Sequence, residues 1–101
     1  MTHPDLDRFL ESMVVERGLR QNSLEAYERD LTRYLTYLAD RGRQATALDR
    51  TDVPRYLLAL RDAGLSPRSV ARHLSAIRQF HRFLVRQGQA AEDPTAHLEA
   101  P

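Results

Sequence analysis

Hydrophobic and polar residues follow the period of an α-helix in four segments of this 101-residue chain. No segment shows the sustained alternation, bounded by hairpin turns, that is typical of a β-strand. The pattern therefore predicts an all-α fold. The four predicted helices run from Pro4 to Arg17, from Asn22 to Gly42, from Thr51 to Gly64 and from Ser66 to Gly88.

Local start and stop signals set these boundaries. Asn22 followed by Glu25 is typical of a capping box, in which two side chains satisfy free backbone N–H groups at a helix start. Ser66 followed by Pro67 predicts a capped start for the fourth helix, because proline is well tolerated at the first helical position. A glycine stands at the expected end of each helix, where a left-handed backbone is common.

Each predicted helix has an apolar face that indicates its core side. His73 and His81 flank the apolar face of the fourth helix and are predicted to be packing residues rather than metal ligands, and Phe83 is predicted to pack against a neighbouring helix. The predicted core residues are Leu6, Phe9, Leu10, Met13, Val14, Leu24, Tyr27, Leu31, Tyr34, Leu35, Leu38, Tyr56, Leu57, Leu60, Val70, Leu74, Ile77 and Leu84.

The fourth helix also carries a cationic face. The net charge of +1 conceals +5 within residues 63–91 and −4 elsewhere, since no acidic residue lies between Asp62 and Glu92. At about 100° per residue, the five arginines of this stretch fall within an arc of roughly 120° opposite the core residues. Such a face indicates a polyanionic partner, most commonly nucleic acid. The alternative is a solvated arginine-rich surface.

The outward face of the fourth helix is the predicted DNA surface. An α-helix fits the major groove of B-DNA, where arginine pairs with guanine O6 and N7 and glutamine with adenine. The free N–H groups at helix starts suit phosphate. The candidate DNA-binding residues on this face and at the two helix starts are Asn22, Ser23, Arg68, Ser69, Arg72, Ser75, Arg78, Gln79, Arg82 and Arg86, with Arg78 at the margin.

The sequence gives little support for catalysis, metal or cofactor binding, or insertion into a membrane. The chain has no cysteine, which excludes disulfides and thiolate catalysis, and His3 and His97 stand apart near the termini, so we expect no metal and no cofactor. Tyr27 and Tyr34 lie on the core face, which makes them structural rather than nucleophilic. No apolar run reaches the roughly 20 residues that span a bilayer, so we expect no membrane partner and a cytoplasmic location.

Several stretches, in this order, resemble the N-terminal core-binding domain of Xer-type tyrosine recombinases and phage integrases. They are residues 22–31 (NSLEAYERDL), residues 74–80 (LSAIRQF) with 82–84 (RFL), and the pairs Asp93-Pro94 and His97-Leu98. The resemblance implies a compact, SAM-like four-helix domain that clamps a duplex recombination site together with a separate C-terminal catalytic domain. It implies that the second and fourth helices face the major groove, with Arg68 and Arg72 nearest the base edges. It thereby adds Arg29 and Arg33 of the second helix to the candidate DNA-binding residues.

The resemblance further divides the chain into a DNA-binding domain, residues 1–88, and a connector, residues 89–101, toward a catalytic domain that this chain lacks. The implied partners are double-stranded DNA, that C-terminal catalytic domain of the same protein and other recombinase protomers. The chain alone is then not an enzyme. Two other functions stay open, a stand-alone helical DNA-binding regulator and a protein-interaction module that binds an acidic partner.

Overall fold

A computed structural model describes residues 3–98 of the chain. The α-helices are α1 (Pro4–Arg17), α2 (Gln21–Asp40), α3 (Asp52–Asp62) and α4 (Pro67–Arg86), and a 3-10 turn at Ala45–Ala47 precedes α3. No strand occurs within residues 3–98, so the prediction of an all-α, four-helix fold is confirmed. None of the helices in this range is long and apolar enough to cross a membrane.

The hydrophobic core lies where α1, α2 and α3 pack against α4. The ring of Phe9 in α1 stands 5.6 Å, centroid to centroid, from the rings of both Phe80 and Phe83 in α4. The Tyr34 ring of α2 lies 5.0 Å from the Tyr56 ring of α3, and both tyrosines are buried. The buried position of Phe83 confirms that it packs against a neighbouring helix.

The prediction was wrong for one core residue. Val14 is 44% exposed, whereas Leu6, Leu10 and Met13 on the same helix are buried. At about 100° per residue, Val14 lies roughly 90° from the centre of the α1 apolar face. It therefore points along the surface rather than into the core.

A buried polar pair joins α2 to α4. The Tyr34 hydroxyl and His81 Nε2 share a hydrogen bond of 2.7 Å, and the His81 side chain is 0% exposed. Burial lowers the pKa of His81 to about 4, so this imidazole is neutral at pH 7. The packing role predicted for His73 and His81 is confirmed, with both rings more deeply buried than a position flanking the core suggests.

The predicted capping box at Asn22 and Glu25 was wrong. The helix α2 begins at Gln21 after an extended Arg20, and no side chain caps its start. Only two residues separate Gly18, whose left-handed backbone ends α1, from Gln21, so the helix restarts before Asn22. Glu25 instead accepts a hydrogen bond of 3.1 Å from the Gln21 side chain.

The predicted cap at Ser66 is confirmed, since its Oγ accepts a hydrogen bond of 3.2 Å from the backbone N–H of Ser69. We expect Ser66→Ala to lower the free energy of unfolding by about 1 kcal/mol, because this N–H then loses its partner. Asn22→Ala, which alters an exposed residue inside the first turn of α2, is the matched control and should cost nothing measurable. Urea unfolding followed by circular dichroism checks both; equal losses in the two variants would contradict the assignment.

The segment after Gly88 packs back on the helices. Pro94 and Thr95 are buried, and the Asp93 carboxylate accepts hydrogen bonds from the Thr95 backbone N–H at 2.8 Å and hydroxyl at 2.6 Å. Residues 94–97 form a short turn, and the Arg78 guanidinium donates to the Leu98 carbonyl. Residues 99–101 of the predicted connector lie outside the described part of the chain.

Candidate nucleic-acid interface

A groove of about 220 Å³ runs between α2 and α4 on the side where the predicted DNA-binding residues lie. It brings together Ser23 from α2 with Arg72 and Ser75 from α4, three of those residues. The remaining lining residues are Ala26, Tyr27, Asp30 and Ala76. The structure therefore places the two predicted faces side by side across one concave surface.

A buried carboxylate, which sequence reasoning missed, forms one wall of this groove. Asp30 is 3% exposed, and both of its oxygens accept hydrogen bonds from Arg72, Nε to Oδ2 at 3.0 Å and Nη2 to Oδ1 at 3.2 Å. The available signal was its position, three residues after Tyr27 and four before Tyr34, which places Asp30 beside the core face of α2.

Further cationic and titratable groups surround Asp30. The Arg29 Nε and the His73 Nε2 each lie 3.5 Å from Asp30 Oδ1. Burial lowers the pKa of His73; the Asp30 charge opposes this shift, while Arg72 and Arg33 add to it. The surroundings of Asp30 thus carry net positive charge although one buried carboxylate lies at their centre.

Gln79 makes hydrogen bonds within the protein at both ends of its amide. Its Nε2 donates to the Tyr27 hydroxyl at 2.7 Å, and its Oε1 accepts from Arg17 Nη1 at 2.9 Å. These bonds tie α4 to α2 and α1. The half-buried Gln79 amide is therefore already paired in this structure, unlike the free base-reading side chain that the sequence suggests.

The other candidate residues differ in exposure. Arg78 is half-buried and directed to the C-terminal segment through the Leu98 carbonyl, and Ser69 is half-buried in the capped first turn of α4. The exposed candidates are Asn22, Ser23, Arg29 and Arg33 on α2 and Arg68, Arg72, Ser75, Arg82 and Arg86 on α4. DNA contact by any of these residues stays a prediction.

No group of three or more histidine, cysteine or acidic side chains within residues 3–98 is placed to hold a metal ion. Two of the four tyrosines, Tyr34 and Tyr56, are buried in the core. Burial raises the pKa of Tyr56 to about 12, so this hydroxyl stays protonated.

Residues 6–88 match the family model described as phage integrase, N-terminal SAM-like domain. The chain belongs to this family. Among curated relatives, it is 42% identical over 98 residues to tyrosine recombinase XerD of Oceanobacillus iheyensis, covering 95% of this chain and 33% of that protein. It is 38% identical over 101 residues to XerD of Pseudomonas aeruginosa, covering 100% of this chain and 34% of the relative. For XerD of Rhizobium meliloti the identity is 43% over 96 residues, with 95% and 31% covered.

The phage integrase SAM-like domain thus spans about a third of the length of the recombinases it matches. The family resemblance inferred from residues 22–31, 74–80 and 82–84 is confirmed.

Proposed function

We propose that this domain is the DNA-binding arm of a site-specific tyrosine recombinase, and that it holds duplex DNA with α2 and α4. The observation that carries the proposal is the juxtaposition of the two arginine-bearing faces across one groove. Asp30 lies 3.5 Å from Arg29 of α2 and 3.0 Å from Arg72 of α4. The pKa of the neighbouring His73 is lowered by burial and by the charges of Arg72, Arg33 and Arg29, so the two faces are close neighbours. The family membership supports the same function.

The proposal assigns binding, not strand cleavage, to this chain. A recombinase of this class would complete its site with a C-terminal catalytic domain of the same protein and with further protomers on the DNA. The core positions of Tyr34 and Tyr56 support this division, because a buried, protonated phenol is a poor nucleophile. The exposed arginines of α4 would then neutralise phosphates.

Binding to duplex DNA should weaken steeply with salt. If about five to seven phosphates are neutralised, the logarithm of the association constant should fall against the logarithm of salt concentration with a slope of roughly −4 to −6. Fluorescence anisotropy with a labelled duplex measures this slope. Arg86→Ala should weaken binding to all sequences alike and make the slope shallower by about 0.9, since one phosphate contact is lost.

Arg50→Ala is the charge-matched control, because Arg50 is exposed beside Asp93 and His97, away from the α2–α4 groove. It should leave the slope unchanged. A slope near zero for the unaltered chain would overturn the proposal. Binding to an acidic polypeptide without measurable affinity for duplex DNA would favour a protein-interaction module instead.

A further inference from the structure

The pairing of Arg72 with Asp30 leaves the Nη1 nitrogen of the guanidinium without a partner among residues 3–98. Asp30 takes up the side edge, formed by Nε and Nη2, while Nη2 also lies 3.4 Å from His73 Nε2. Nη1 makes no hydrogen bond to any residue in the described range 3–98. The Arg72 side chain is half exposed and that of Asp30 is buried, so the guanidinium lies between the buried carboxylate and solvent.

This geometry restricts the motion of Arg72. A free arginine side chain has many rotamers, and ordering them costs conformational entropy each time a contact forms. Two hydrogen bonds to a buried carboxylate fix the plane of the guanidinium before any partner arrives. Because Asp30 lies inside α2, the orientation of an α4 side chain is set by the neighbouring helix.

The charge of Asp30 makes this arrangement costly for a general phosphate contact. A buried carboxylate cancels about one unit of positive charge beside the groove, which weakens attraction to any DNA sequence. A phosphate contact also tolerates a mobile cation, whereas pairing with a base edge depends on orientation. The Asp30–Arg72 pair therefore fixes the orientation of the Arg72 guanidinium and reduces the positive charge beside the groove.

We propose that Asp30 is a positioning residue that orients Arg72 to read a guanine edge, O6 and N7, in the major groove. This inference rests on the proposed function and deepens it, because it names the chemical group read at one position. In this role Asp30 increases sequence preference, although its negative charge by itself weakens binding to any DNA. An acidic residue on a DNA-binding face is then required for sequence preference although it lowers general affinity.

The first test is Asp30→Asn. Selection from a pool of randomised duplexes with the unaltered chain identifies its preferred sequence, and anisotropy then compares that duplex with one whose guanine pair is replaced. We expect the unaltered chain to discriminate by about 10- to 100-fold at this pair, the range for one bidentate contact. Asp30→Asn should lose most of this ratio while binding random duplexes at least as tightly, since a negative charge is gone.

The second test is Arg72→Lys, which keeps the charge but lacks the planar, forked donor. Lysine keeps a positive charge beside the buried Asp30 carboxylate, so this variant decides the question even if Asp30→Asn fails to fold by circular dichroism. Arg72→Lys should lose the guanine preference and keep the salt slope. Arg86→Lys, on the same face, is the control and should retain the preference. The double variant of Asp30 and Arg72 should discriminate no worse than either single variant, because both substitutions remove the same contact with guanine.

The outcomes separate this inference from the proposed function. Absence of any duplex binding by the unaltered chain would overturn both. Binding without sequence preference, or a guanine preference that survives Arg72→Lys, would overturn the inference and leave the DNA-binding proposal standing. If Arg72→Lys kept both the affinity and the guanine preference, Arg72 would be assigned to a phosphate instead, because lysine retains that charge.

Discussion

Replacing Phe9 by alanine should lower the free energy of unfolding by about 3 to 5 kcal/mol, the usual cost of removing a fully buried aromatic ring. Phe9 is 1% exposed and makes edge contacts with the rings of Tyr27, Phe80 and Phe83. These contacts attach α1 to both α2 and α4. The truncation removes buried apolar area and leaves a cavity that the rigid helices around it close only in part.

Urea unfolding followed by far-ultraviolet circular dichroism measures this effect. Val15→Ala is the control on the same helix, because Val15 is 77% exposed and its loss should change the free energy of unfolding by less than about 0.5 kcal/mol. If Phe9→Ala cost under about 1 kcal/mol, the position of Phe9 at the centre of the core would be wrong.

The second large effect is a loss of stability in mild acid. An unfolded chain protonates a histidine near pH 6.5, whereas buried His81 takes up its proton only near pH 4. Between these values the unfolded state binds more protons, so the free energy of unfolding falls as the pH falls. The full loss from His81 is about 3 kcal/mol and is reached near pH 4. The Asp93 carboxylate opposes the shift without cancelling it, and His73 changes in the same direction.

Comparing His81→Gln with the unaltered chain isolates this contribution from the other groups that titrate in acid. Glutamine stays neutral at every pH and retains polar atoms near the Tyr34 hydroxyl. The variant should be less sensitive to a change from pH 7 to pH 4.5, measured as the shift in urea midpoint. His97→Gln, at an exposed position, should behave like the unaltered chain. Identical pH dependence in His81→Gln would contradict the assignment.

Most of the fold was predictable because it follows from local patterns. The period of apolar residues located the four helices, and Ser66 with Pro67 marked the start of α4 from neighbouring residues alone. The start of α2 was misplaced at Asn22 because the short connection after Gly18, rather than a cap, determines where that helix begins.

The interior of the candidate site was not predictable in the same way. Asp30 and Arg72 are 42 residues apart, and Gln79 and Tyr27 are 52 residues apart. Helical periodicity gives the direction of each side chain from its own helix axis, but it does not give the rotation of one helix against another. Side-chain pairs between α2 and α4 depend on that rotation. The outward face of each helix could therefore be predicted from the sequence, but the contacts between the two helices could not.

The paired amide of Gln79 changes what a base contact at this position would be worth. If Gln79 turned outward to reach adenine, it would exchange its hydrogen bonds to Tyr27 and Arg17 for contacts with the base. Such an exchange yields little net free energy, because a protein hydrogen bond contributes only about 1 kcal/mol over its competitor. Gln79 would also release Arg17 of α1 as it turned outward, and reading that base would loosen the attachment of α1 to α4.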